Sequence, residues 1–312
     1  MANRTVAALD VGTNSVKLLI ARITPTALEP LEQRVMVTRL GAGMGATGVL
    51  DAAAMERTMA AICQFRMACD QAGVEEVAAV ATAAAREAHN GRSFLAAVSA
   101  ECGVTVTAIP GVEEARLSFL AVRRDPAWAA LNGLRMIDVG GGSTEVVAGG
   151  RGQEPISRAS IPMGAIKLTD NYLRTDPPAP AELQIASAAA AQAMEQASLP
   201  AVLSEPVPLI GVGGTLTSLA AIDGPASRGA RKIHGHRITV EALDTTIARL
   251  SSMRLEERRA LKGLDPARAG IIVGGAIMVR EAMNWLGCDS LQVSDRGLRW
   301  GLLYDRFLPQ QD

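Results

Sequence analysis

Residues 6–23, VAALDVGTNSVKLLIARI, and residues 135–150, RMIDVGGGSTEVVAGG, decide how the chain is read. Placing Asp10 over Asp138 also places Val11 over Val139, Gly12 over Gly140 and Ser15 over Ser143. Each stretch is an apolar run ending in Asp, a turn of small residues, and a second apolar run. That pattern predicts a β-hairpin in both places. Two copies about one domain apart predict two similar halves. If their turns face each other, the functional site lies in the cleft between them.

Working outward, strand-like and helix-like segments alternate. A helix is expected over 51–72, capped by Asp51 and stopped by Gly73, then a strand over 77–82. A helix from Ser93 to Glu101 and a strand over 104–109 follow. In the second half a proline-rich loop, 175–183, feeds an Ala-rich helix to about Ser198. A strand over 207–212 leads into a helix from Thr215, with further helices near 240–250 and 266–286. Gly274-Gly275 inside the last of these predicts close packing. A strand over 291–294 precedes a final helix, Asp295 to Phe307. The alternation predicts an α/β fold with mixed sheets.

Composition narrows the function. The 312 residues, 48% hydrophobic, suffice for two domains. Lys and Arg number 31 against 32 acids, which excludes coating nucleic acid through bulk charge. Aromatics at 3% argue against base-stacking platforms. The apolar run Ala269–Val279 is far short of the ~20 residues a membrane span needs. The N-terminus lacks the apolar stretch of a signal peptide, so a cytoplasmic protein is expected. Cys63, Cys69, Cys102 and Cys288 have no zinc-ligand spacing and are expected to be small reduced residues.

Chemistry concentrates in three glycine turns: Asp10 to Ser15, Asp138 to Glu145, and Gly211 to Thr215. Glycines let backbone amides approach a ligand and form an anion-binding nest. Gly213-Gly214-Thr215 opens a helix, which adds the positive end of its dipole. Asp10, Asp138 and Glu145 would repel phosphate unless a divalent cation stood between, and such hard oxygen ligands suit Mg²⁺. Any one turn alone reads as an ordinary hairpin; the three together read as a phosphate site. A dinucleotide fold is disfavoured, because no strand–turn–helix carries Gly-x-Gly-x-x-Gly.

Glu113-Glu114 opens a helix just ahead of the second copy. The pair reads either as a dipole complement or as the source of a water-activating carboxylate. Thr82 and Arg86 follow a buried strand and are candidates for phosphate contact, against a helix cap and a surface Arg. Arg228, Arg231, Lys232 and Arg237 form an acid-free basic stretch, read as a polyanion surface or a solvated loop. His234 and His236 lie in it with no triad partner in the local sequence.

With these segments in view the chain resembles the Ppx/GppA phosphatase family, exopolyphosphatases and guanosine pentaphosphate phosphohydrolases of the actin-like ATPase superfamily. LDVGTNSVKLLIAR (9–22), ATAAAREAHNG (81–91), GVEEARLSFLAV (111–122), IDVGGGSTEVV (137–147), IPMGAIKLTD (161–170), GVGGTLTSLAAI (211–222), IHGHRIT (233–239) and VSDRGLRWGLL (293–303) carry the resemblance. It implies two actin-like (ribonuclease H-like) α/β domains with mixed sheets and an interdomain active-site cleft. The first domain spans 1–124 with about 295–312, and the second 125–294.

The resemblance makes Glu114, directly before Ala115-Arg116, the catalytic glutamate. It assigns phosphate binding to Gly12, Thr13, Asn14 and Ser15, to Gly140, Gly141, Gly142 and Ser143, and to Gly213, Gly214 and Thr215. It makes Asp10, Asp138 and Glu145 the metal-proximal carboxylates. Thr13 and Lys17 depart from the family's more usual Ser and Arg, and Ala83 to Ala85 lack its Leu.

The expected activity is Mg²⁺-assisted release of terminal phosphate from inorganic polyphosphate, with the alarmone pppGpp as the alternative substrate. An actin-like filament protein and a sugar or acetate kinase are the rivals from other classes. Neither nucleic acid nor a membrane is an expected partner, and a homodimer is left open.

Overall fold

The first hairpin consists of β1 (Arg4–Val11) and β2 (Ser15–Ile23), antiparallel, with Val11 opposite Val16 and Asp10 opposite Lys17. The computed structural model describes residues 4–24, 27–197, 207–223 and 233–308. Next come β3 (Leu28–Val37), α1 (Met44–Thr47), α2 (Ala52–Gln71), β4 (Glu76–Ala81), α3 (Ala83–Glu87), α4 (Gly91–Cys102), β5 (Thr107–Ala108) and α5 (Gly111–Arg123). The second hairpin, β6 (Leu134–Val139) and β7 (Thr144–Gly149), leads to β8 (Ser157–Ile161), α6 (Ala165–Tyr172), α7 (Pro180–Glu195), β9 (Leu209–Val212) and α8 (Gly213–Asp223). The chain closes with β10 (Arg237–Thr239), α9 (Val240–Ser252), α10 (Leu255–Arg259), α11 (Ile272–Trp285), β11 (Ser290–Val293) and α12 (Leu298–Phe307).

Two units result: Met1–Ala121 with Leu298–Asp312, and Val122–Gly297. The first sheet runs β3-β2-β1-β4-β5 and the second β10-β11-β9-β6-β7-β8. Read from the other edge, the second repeats the first, with β10 added beyond β11. In each, a hairpin and its third strand are antiparallel, and the next two strands beyond run parallel to the first; the added β10 is antiparallel to β11. This is the mixed-sheet, actin-like arrangement, present twice.

Burial explains why β1 and β2 read as unbroken apolar runs rather than alternating ones. Ala7, Leu9 and Val11 join one core with α2 and α4, while Val6 and Ala8 join another with α5 and α12. A strand covered on both faces must be apolar at every position. By contrast β3 is exposed along much of its length, and that polar edge strand is absent from the sequence-based expectation.

Other boundaries shift for local reasons. Asp51 caps α2 as expected, its Oδ1 accepting from the Ala54 N–H at 3.0 Å. The fourth helix starts at Gly91 rather than Ser93, and Asn90 before it spends its side chain on both backbone groups of Leu50. The strand expected over 104–109 shrinks to two residues. The last helix begins at Leu298, because Ser294 Oγ accepts from the Arg296 N–H at 3.1 Å and holds a turn before it. Gly274 and Gly275 do serve packing: a Cβ on either would fall 2.4 Å from Thr169 Oγ1 or 2.7 Å from Thr215 Cγ2. No described helix is long and apolar enough to cross a membrane.

The expectation of four reduced cysteines is corrected. Cys63 of α2 and Cys102 at the end of α4 form a disulfide, because packing of the two helices brings their Cα atoms to 4.8 Å. Cys69 and Cys288 remain thiols, and burial pushes that of Cys69 up to about 11. The bridge closes 39 residues of chain, which in the loop-entropy view stabilises the first unit by about 2–4 kcal/mol. Cys63→Ser is therefore expected to lower the melting temperature in non-reducing buffer, with reductant removing the difference. Equal melting in both buffers would mean that no bridge forms.

Candidate active site

In the first unit β1, β4 and β5 are parallel, so their carboxyl ends share one sheet edge, where ligands of α/β sheets bind. The turn Gly12–Asn14, Thr82 after β4, and the start of α5 after β5 lie there. The Gly12 N–H donates to Ser15 O at 3.0 Å. The turn's outer carbonyls are already used: Thr13 O accepts from Gly41 N–H at 2.9 Å, and Asn14 O from Thr38 and Arg39 at 3.1 and 2.9 Å. What the turn can offer a ligand is therefore N–H, the donor an anion requires.

Polar groups buried beside this turn lack partners. Asp10, 2% exposed, bonds Lys17 Nζ through Oδ2 at 2.8 Å, while its Oδ1 has no hydrogen-bond partner among the described residues. Neither polar atom of the Asn14 side chain has one, nor has Thr38 Oγ1. Each such group costs about 1–3 kcal/mol unless something bonds it. Arg39, the one described non-glycine residue in the left-handed region at φ 53°, adds local strain of about 1–2 kcal/mol. Polar burial and backbone strain thus coincide around this turn and the 38–39 segment bonded to it.

Thr82 is buried at the start of α3 and spends no side-chain bond on capping it. Arg86 donates through Nη1 to Ile109 O at 3.0 Å, two residues before α5, and through Nη2 to Glu87. The two glutamates of α5 separate cleanly. Glu113 holds Arg116 at 2.7–3.2 Å, and Arg116 also holds Asp305 at 2.7 Å. Glu114 is buried in the first turn of the helix, behind Pro110, whose carbonyl its N–H bonds at 3.1 Å.

The second unit repeats the design. Gly140 N–H donates to Ser143 O at 3.0 Å, the same bond as in the first copy. The carbonyls of Gly140 and Gly141 accept from Ala165 and Ile166 at 2.9 Å, at the start of α6. The third turn meets this one because β6 and β9 are parallel, with Asp138 beside Val212. Thr215 Oγ1 donates to Val139 O at 2.9 Å. Gly213 has φ +91°, and a Cβ there would fall 2.2 Å from Asp138 Oδ1. Gly213→Ala is accordingly expected to lose more than the ~1–2 kcal/mol of left-handed strain and to displace Asp138. Melting temperature and activity should fall together; a neutral change in both would clear Gly213 of this role.

One difference between the copies bears on charge. Opposite Asp10 stands Lys17; opposite Asp138, at the same register, stands Glu145. Glu145 is fully buried, and its Oε1 accepts from Ser160 Oγ at 2.8 Å. The first copy sets a cation opposite its carboxylate, whereas the second sets a carboxylate opposite a carboxylate in the same register. Among the described residues no three His, Cys, Asp or Glu groups converge as a metal cage. Asp138 and Glu145 fit Mg²⁺, which binds through one or two carboxylates and takes its other ligands from water and phosphate.

The structure thus gathers Asp10, Gly12 to Ser15, Thr82, Arg86 and the start of Glu114's helix in the first unit. It gathers Asp138, Gly140 to Ser143, Glu145 and Gly213 to Thr215 in the second. Arg237 stands apart on edge strand β10, its Nε donating to Ser290 Oγ at 3.0 Å. Arg228, Arg231 and Lys232 lie outside the described residues. Sequence reasoning missed Arg268, whose guanidinium lies against Gly214: a Cβ there would come 2.2 Å from Nη1. Burial lowers the Arg268 pKa, opposed by Asp265, yet an arginine stays charged. Its only sequence signal was its place as the border of an apolar run.

Glycine turns and buried carboxylates at the carboxyl edges of two actin-like sheets define an enzyme that handles phosphoryl groups. The chain belongs to the Ppx/GppA phosphatase family, whose model matches residues 19–310, and it is a hydrolase of phosphoanhydride bonds. It is 33% identical to exopolyphosphatase 2 of Mycobacterium tuberculosis, over 97% of this chain and 98% of that one. It is 31% identical to exopolyphosphatase 1 of Mycobacterium leprae, over 97% and 90%. Among solved structures it resembles an exopolyphosphatase-like protein at TM-score 0.91 and 28% identity, with 98% of each chain covered. It also resembles the Aquifex aeolicus family member at TM-score 0.78 and 30% identity, with 97% of each covered.

Proposed function

We propose that this phosphatase is an exopolyphosphatase, releasing orthophosphate from the end of inorganic polyphosphate. The observation that carries the proposal is the set of buried polar side-chain atoms at the first turn, Asp10 Oδ1, Asn14 and Thr38 Oγ1, that have no hydrogen-bond partner among the described residues. Relatives named exopolyphosphatases over nearly the whole chain support the choice of substrate.

In the first unit the turn amides of Thr13 and Asn14, the Thr13 and Thr82 hydroxyls and Arg86 offer donors to phosphate oxygens; in the second unit the turn Gly141 to Ser143 and the amides of Gly213 to Thr215, at the start of α8, offer them. Most of the catalytic effect comes from positioning and charge stabilisation, since a phosphoryl transfer asks little covalent chemistry of the protein. Glu114 takes the proton of the attacking water. Its place in the first turn of α5, at the carboxyl edge of the first sheet, suits it to that task. In the second unit Asp138 and Glu145 would hold Mg²⁺, which would supply positive charge against the phosphates.

Phosphate release measured side by side from long polyphosphate, pppGpp and ATP tests the proposal. Polyphosphate is expected to be cleaved fastest. Preferential cleavage of pppGpp would replace the proposal with the alarmone phosphohydrolase, and turnover of ATP alone would overturn both.

A further inference from the structure

His234 belongs to a cluster that the activity leaves unused. Ile233 to His236 form a turn closed by the His236 N–H donating to Ile233 O at 3.0 Å, with Gly235 at φ 78° in the position that requires a positive φ. The Gly235 N–H donates to Val293 O and the Val293 N–H to His236 O, both at 2.8 Å, which pins the turn to the end of β11. The His234 ring therefore stands at a set place. Its Nδ1 lies 3.0 Å from Asp295 Oδ1 and its Nε2 3.5 Å from Asp125 Oδ2. Trp128 covers the ring at 4.8 Å, and Arg296 Nε lies 3.3 Å from the same Asp125 oxygen.

One of the two carboxylates is buried and the other exposed. Asp125 is 2% exposed and follows α5 by two residues; Asp295 precedes α12 by three. The boundary between the units falls at 121/122, within α5, and at 297/298, at the start of α12. His234 thus bonds the chain just before it leaves the second unit, at Asp295, and its protonated ring pairs with Asp125 just after the chain enters it. On the first-unit side the same two helices touch again. A Cβ on Gly301 of α12 would lie 1.8 Å from Leu117 O of α5, and Arg116 holds Asp305. The far end of α5 is anchored further by Arg123, whose guanidinium donates to the carbonyls of Leu131 at 3.2 Å and Arg151 at 2.6 Å.

From this geometry we propose that His234 is a positioning residue for Glu114. With its hydrogen bond to Asp295 and, when protonated, its ion pair with Asp125, it fixes the segment that follows α5, and a helix is stiff enough to carry that setting to its first turn, where Glu114 sits. The inference rests on Glu114 being the base. Displacements of about 1 Å at a reacting group slow reactions by up to ~10²-fold, whereas substrate affinity depends on the glycine turns, which the His234 contacts do not touch.

The test compares His234→Ala, His234→Gln and Asp295→Asn, alone and on the Glu114→Gln background, with polyphosphate as substrate. Asp295 is 54% exposed at its side chain, so its variant keeps the experiment open if His234→Ala fails to fold. His234→Ala is expected to lower kcat about tenfold with KM unchanged, and Gln, which keeps one donor, to restore part of it. On the Glu114→Gln background the same change should cost nothing further, because the group it positions is gone. An equal loss on both backgrounds, a loss in KM alone, or no loss in kcat would overturn the proposal. Near-normal turnover by Glu114→Gln alone would instead remove the base assignment on which it rests.

Discussion

Glu114→Gln is expected to leave the chain folded and its substrate affinity near normal, while phosphate release slows by at least ~10²-fold. Gln matches Glu in size and can keep one acceptor where the carboxylate now sits, so the buried first turn of α5 is preserved. What disappears is the ability to take a proton. Glu113→Gln is the matched control, because that side chain is spent on Arg116. It should alter the rate little, and at most loosen the contact to Asp305. A Glu114 variant with near-normal kcat would remove this residue from the mechanism, and a Glu113 variant with the larger loss would exchange the two roles. Steady-state release of free phosphate from polyphosphate, with melting curves on the same samples, decides among these.

The second large effect is expected at Asp138. In Mg²⁺-free protein Asp138→Asn, which keeps the size of the side chain, should change the melting temperature little. Adding Mg²⁺ should stabilise the parent chain more than the variant, since the variant loses one of the two carboxylates. The Mg²⁺ concentration for half-maximal rate should rise about tenfold or more, equal to ~1.4 kcal/mol. Asp10→Asn is the informative comparison, because Lys17 already neutralises that carboxylate at 2.8 Å. A smaller shift is expected there. Identical Mg²⁺ curves for the parent and Asp138→Asn would leave Asp138 as a strand-end residue.

Much of this was legible in the linear chain. The duplication, the hairpins, the glycine turns and the family all follow from patterns that are local: short apolar runs, Asp ahead of a small-residue turn, and a cap or stop at a helix end. Local patterns survive in sequence because neighbouring residues meet whatever the rest of the chain does. Even the pairing of Asp10 with Lys17 and of Asp138 with Glu145 is implied once the turn is placed, since an antiparallel register fixes which residues stand opposite. Tertiary structure alone decided the rest, through contacts between residues far apart in the chain. Burial separated Glu114 from Glu113, two neighbours with the same chemistry. Packing of α2 on α4 joined Cys63 to Cys102, and packing of the 266–268 turn laid Arg268 on Gly214. His234 found its carboxylates only where the end of β11 meets both connecting segments. Such contacts depend on where whole helices and sheets come to rest, a property of the packed core that no short stretch of sequence contains.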